Sequence, residues 1–109
     1  MTLHLYLSSG EWEQIASQRL DEYFRSCQFH GVHVSVQTNI AGSARVITCK
    51  LQYLGHVNKQ SYVLVDGVVS YSSLDGHQEY QFSDDWGAMI VLMSNCACEW
   101  LESLKKANI

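Results

Sequence analysis

Three candidate metal ligands stand close together in Cys27-Gln-Phe-His30-Gly-Val-His33. Zinc takes four tetrahedral ligands, commonly delivered as two close pairs. The only second pair is Cys96-Ala-Cys98. On a helix, thiols two residues apart point about 200° away from each other, so they cannot close one site. Cys27 also falls on the apolar stripe of a predicted helix, and Cys49 on a strand position. All four cysteines are therefore read as reduced thiols acting as small hydrophobes. No metal and no cofactor are expected.

Nucleophilic catalysis finds no better footing. His4, His30, His33, His56 and His77 allow a Cys–His pair on paper. Yet no serine lies in a nucleophile-elbow sequence and no cysteine in a recognisable catalytic context. Histidines that alternate outward from strands are usually just solvated. Ser8-Ser9-Gly10-Glu11 could hold an anion on free amides, but a capping box of Ser8 and Glu11 explains it without a ligand. Asp84-Asp85 has no third carboxylate at calcium-loop spacing and suits the positive end of a helix instead. The chain is read as a non-enzyme.

One pattern exceeds what structure alone requires. Between Glu22 and Asp66 there is no acid, while Arg25, Arg45, Lys50 and Lys59 fall there. From Asp66 through Glu102 the sign inverts: Asp66, Asp75, Glu79, Asp84, Asp85, Glu99 and Glu102 occur without a lysine or arginine. Tyr71, Tyr80, Trp86 and Trp100 lie in the same block. A single-sign field beside aromatics fits a surface that recruits a basic protein. The expected binding residues are Asp75, Glu79, Asp84 and Asp85, with Asp66 and Tyr71. A net charge of −4 and a pI near 5.6 speak against nucleic acid and acidic membranes as partners.

Alternating and helical spacings supply the elements that must carry these residues. Leu3, Leu5 and Leu7 alternate in a strand over 2–7. A helix to about Cys27 lines up Trp12, Ala16, Leu20, Tyr23, Phe24 and Cys27. Period-two alternation then marks strands at Gly31–Gln37, Arg45–Leu54, Ser61–Val65, Val68–Ser72 and His77–Phe82. Asn39-Ile40-Ala41-Gly42 reads as a turn. Asp66-Gly67 is a strong hairpin signal that pairs Val65 with Val68, Leu64 with Val69 and Tyr62 with Tyr71. Ser83-Asp84-Asp85 caps a last helix to about Lys106, with Trp86, Met89, Ile90, Met93, Ala97, Trp100, Leu101 and Leu104 on one stripe. Val91, Leu92 and Cys98 lie off that stripe, on a spare face that a second copy could cover as a homodimer.

The order β-α-β-β-β-β-β-α predicts an α+β domain: a mostly antiparallel sheet of five to six strands with two helices on one face. A parallel first β-α-β, or a sheet curled around the last helix, are the alternatives. At 109 residues with 47% hydrophobic and 17% charged side chains, the chain is read as one domain over 1–109 with a core of its own. MTLHLYL has no basic start, and the longest apolar run, Ala88–Met93, is far shorter than a membrane span. A cytoplasmic protein is expected. In size, acidity and lack of catalytic signatures the chain looks like small inhibitors that neutralise toxic enzymes, a profile shared by toxin-immunity and phage counter-defence proteins. The expected function is thus a non-enzymatic inhibitor that blocks a basic partner such as a nuclease or toxin. The alternative is a small-ligand-binding or minor enzymatic domain, with an apolar pocket between sheet and last helix and polar groups such as His33 or Tyr53.

Overall fold

A computed structural model describes residues 9–73, 76–82 and 86–107. Helix α1 (Ser9–Ser26) leads into strands β1 (His33–Ala41), β2 (Ala44–Tyr53), β3 (His56–Val65), β4 (Val68–Ser73) and β5 (Gly76–Gln81). Helix α2 (Trp86–Lys106) closes the described chain. The strands form one antiparallel sheet in chain order, β1-β2-β3-β4-β5. The α+β class and the antiparallel meander match the expectation from sequence. The strand expected at 2–7 and the caps at Ser8 and Ser83-Asp84-Asp85 lie outside the described residues.

Period two decides which side chains go inside. Val36 of β1, Ile47, Cys49 and Leu51 of β2, Tyr62 of β3 and Val69 of β4 share one face, and all are buried. They meet Trp12, Ala16, Leu20 and Phe24 of α1 and Met89, Ile90, Met93, Ala97 and Leu101 of α2 in a single core. Both helices therefore cover the same side of the sheet. The Asp66-Gly67 hairpin has the register read from sequence, with Val65 opposite Val68 and Leu64 opposite Val69. Tyr62 and Tyr71 follow on the inner face with ring centroids 5.6 Å apart. Gln60 donates to the Ser72 carbonyl and ties β3 to β4 beyond the last ladder pair.

The largest departures from the strand boundaries read off the sequence are the end of β1 and the start of β3. Asn39 and Ile40 belong to β1, not to a turn, because the turn is only Gly42–Ser43 between paired Ala41 and Ala44. Gly42 supplies the left-handed φ of 63° that the turn needs. Residues 55–60 carried no clear alternation, yet β3 starts at His56. The cause is a two-residue turn at Leu54-Gly55, with φ of 51° and 82°. Such a turn normally signals itself as Asn-Gly or Asp-Gly, and leucine hides it.

The end of α1 has a similar disguise. Gln28 takes φ 69° and its N–H donates to the Arg25 carbonyl, while Phe29 N–H donates to Phe24 carbonyl at 2.9 Å. Those two bonds make a Schellman cap with glutamine where glycine is usual. Phe29 then packs edge-on against Tyr53 at 5.9 Å, with Lys105 Nζ 5.2 Å from its ring centroid. The cap thus delivers the chain from α1 to the sheet.

A non-glycine residue in the left-handed region costs about 1 kcal/mol. Gln28→Gly and Leu54→Asn are each expected to raise unfolding stability by roughly 0.5–1 kcal/mol, read as a higher denaturant midpoint at unchanged m-value. Loss of stability in both would show that the Gln28 and Leu54 side chains contribute contacts outweighing backbone strain.

Candidate functional site

The inner face of the sheet is consumed by the core, which leaves the other face as the candidate surface. Among the described residues no element covers it. Ladder pairing orders its side chains in rows across the strands. At one end lie His33, Gln52 and Val57, then Ser35, Lys50 and Lys59. A neutral row follows, with Gln37, Thr48, Ser61, Ser72 and His77. Next come Asn39, Val46, Val63, Ser70 and Glu79, and last Val65, Val68 and Gln81. Asp66 stands exposed at the hairpin tip beyond them.

This face is polar, and its charge is divided. Lys50 and Lys59 are direct cross-strand partners, both exposed. Like charges placed opposite each other repel, and neither forms an ion pair among the described residues. The acids Glu79 and Asp66 lie at the opposite end, around the half-buried valines 46, 63, 65 and 68. His77 Nε2 lies 3.7 Å from Glu79 Oε1, with both side chains about two-thirds exposed.

Among the described residues, those singled out from sequence divide between the two sides of the sheet. Glu79 projects from the open face, as expected from the inward Tyr80. Asp66 is exposed at its turn. Tyr71 points to the helix side, stacked at a tilt on Tyr62, so it cannot join Glu79 in one contact. Asp75, Asp84 and Asp85 lie outside the described residues. Glu99 and Glu102 are exposed on α2 and line a surface recess with Asn95, Cys98, Ser103 and Lys106.

The spare helix face also divides. Val91 is 59% exposed. Leu92 and Cys98 are half-buried against the core instead, because they lie on the two flanks of α2. Leu92→Asp is accordingly expected to cost folding stability, so by itself it cannot isolate association. The polar residues of the pocket reading, His33 and Tyr53, line a surface recess of about 350 Å³ with Gly31, Gln52, Leu54 and His56. The space between α2 and sheet is filled by Met89, Met93, Tyr62 and Ile47, each at most 1% exposed.

Helix α2 carries one thiol on each flank, as the two-residue spacing of Cys96 and Cys98 dictates. Cys96 meets the Tyr62 phenol on the sheet side, and Cys98 meets Tyr23 and Cys27 on the α1 side. All four thiols are free. Burial pushes the Cys49 thiol up to about 12, with nearby Cys96 adding to it. Burial also raises Cys96 and Cys98, though a hydrogen bond to a tyrosine opposes the rise in each. Tyr23, hydrogen-bonded to Cys98 and beside Cys27, is pushed up to about 12. Tyr62 is raised too, first by burial. A nucleophilic cysteine needs the thiolate, and these environments hold the proton on. Among the described residues no three histidine, cysteine or acidic side chains gather where they could hold a metal ion.

No protein family, curated protein or solved structure matches this chain. The open face of the sheet, with its valines and divided charge, is the candidate surface.

The raised Cys49 thiol has a consequence at high pH. The unfolded chain ionises this thiol near pH 9, whereas the folded chain resists until about 12. Its contribution to stability is therefore complete below pH 9 and lost as pH rises toward 12. Cys49→Val is expected to flatten the fall of the denaturant midpoint across that window while changing stability at pH 7 by less than about 1.5 kcal/mol. An unchanged alkaline slope would place the base-sensitive group elsewhere.

Proposed function

We propose that this protein is a non-enzymatic protein-binding domain that blocks a basic partner, with the acidic end of its open sheet face as the contact surface. The observation that carries this reading is the set of valines at 46, 63, 65 and 68, left uncovered among the described residues and flanked by Glu79 and Asp66. An apolar centre with a charged rim is how protein interfaces are built. The partner is a cytoplasmic protein with a basic active-site cleft, such as a nuclease or toxin. Acidic side chains stand in for the phosphates that such a cleft binds. Lys50 and Lys59, two ladder rows away from the Val46–Glu79 row, repel a basic partner and so fix which way it docks.

That no helix among the described residues is long and apolar enough to cross a membrane is compatible with this setting. The filled space beneath α2 favours surface recognition over an enclosed small ligand. Inhibition in this reading is steric and electrostatic and needs no chemistry from the buried thiols.

The test is affinity capture from the cell that makes the protein, identification of the bound partner, and titration at low and high salt. A basic partner whose affinity falls with salt is expected. Val63→Lys with Asp66→Asn should weaken binding by about tenfold or more, roughly 1.4 kcal/mol. The Asn-Gly turn so created keeps the hairpin. Lys50→Glu with Lys59→Glu should leave binding intact or tighten it. Salt-independent affinity, together with silence of the Val63/Asp66 variant, would sink the reading.

A further inference from the structure

The two edges of the sheet are treated differently. Edge strands present unpaired backbone groups and need protection against pairing with other chains. At β1 the Thr38 N–H, which points away from β2, donates to Glu13 Oε2 at 3.2 Å. Helix α1 also packs along that strand. One of its outward donors is thus occupied and its flank is covered.

Among the described residues β5 has no such guard. It contains no proline, lysine or arginine. Its ladder with β4 runs without a bulge from Ser73↔Gly76 to Val68↔Gln81. Phe82 N–H donates to the Gly67 carbonyl at 2.8 Å, which sets the phase of the hydrogen bonds. In an antiparallel pair the residues alternate, so Gln78 and Tyr80 direct their backbone groups to β4. His77, Glu79 and Gln81 direct theirs outward. Among the described residues nothing receives them, and all three side chains are exposed.

The outward residues are also self-complementary. A second β5, run antiparallel about a two-fold axis at Gln78, sets His77 opposite Glu79 of the second copy and Glu79 opposite its His77. Both are hydrogen-bonding positions, so about four main-chain bonds form along with two imidazole–carboxylate pairings. Shifting the axis by one residue either way puts His77 on His77 or Glu79 on Glu79. Only one register sets each imidazole against a carboxylate.

We propose that β5 is a self-association edge, through which two copies of this chain join their sheets into one of ten strands. The pairing is independent of the basic-partner reading, although Glu79 belongs to the open face in both. It is therefore read on the protein alone. A contact of six residues per strand is small, so a dissociation constant of roughly 1–100 µM is expected.

Sedimentation velocity of the full chain across that concentration range is the experiment. A reversible monomer–dimer equilibrium is expected. Glu79→His and His77→Glu, each of which places like groups opposite one another twice, should weaken it at least tenfold. The double variant His77→Glu/Glu79→His restores every imidazole–carboxylate contact and should restore dimerisation. Glu79→Pro removes an outward N–H without touching the β4 ladder and should give a folded monomer by far-UV circular dichroism. If Glu79→Pro disturbs the fold, the single and double charge variants decide the matter. A monomer at every concentration would overturn the proposal, as would a dimer indifferent to the single variants or unrescued by the double one. Protection of the His77 and Glu79 amides from exchange in the dilute monomer would likewise overturn it, by showing that the chain's own residues occupy the edge.

Discussion

Helix α2 must be covered on two sides, and the rest of the molecule is arranged around that need. Met89, Met93 and Leu101 are fully buried and Ile90 and Ala97 nearly so. Truncating any of the larger ones would remove about 2–5 kcal/mol, a large share of the stability of a small domain. No single helix partner can bury so wide a stripe. The inner face of the sheet takes one flank, where Cys96 meets Tyr62. Helix α1 takes the other, where Cys98 meets Tyr23 and Cys27. Ser94 fits this buried position because its hydroxyl donates to the Ile90 carbonyl at 2.8 Å and leaves no unmet polar group.

Covering α2 in this way places both helices on the same side of the sheet, and the open face is the consequence. A five-stranded antiparallel sheet tolerates this, since one face can remain in water when its side chains are polar. Ser35, Gln37, Thr48, Lys50, Gln52, Lys59 and Ser61 supply that polarity. The valines toward the Asp66 hairpin depart from it, and the proposed contact surface rests on that departure.

Chain-order topology carries the charge pattern of the sequence into space. Each strand pairs with the next, so a stretch without acids and a stretch without bases stay in different parts of the sheet. The same topology leaves β1 and β5 as edges. Glu13 guards the first, while the second offers alternating exposed groups that complement themselves. Burial of the Cys49 thiol and the Tyr62 phenol favours their protonated forms, which suits a structural role.

Much of this was legible in the residues. Period-two alternation located the strands, the Asp66-Gly67 turn set one register without help, and helical spacing found the buried stripe of α2. The divergence of Cys96 and Cys98 followed from helix geometry alone. The left-handed turns at Gln28 and Leu54 were not legible, because neither residue type announces that conformation, and with the second went the start of β3. Nor could spacing say that Tyr71 and Glu79 face opposite sides of one sheet, or that the flanks carrying Leu92 and Cys98 would both be packed against the core. Those facts depend on which strands are neighbours and on where the helices lie. Local sequence determines which residues share a face, because backbone geometry repeats every two or 3.6 residues. Only tertiary packing decides which face meets the core, since burial depends on the apolar area that other elements bring to it.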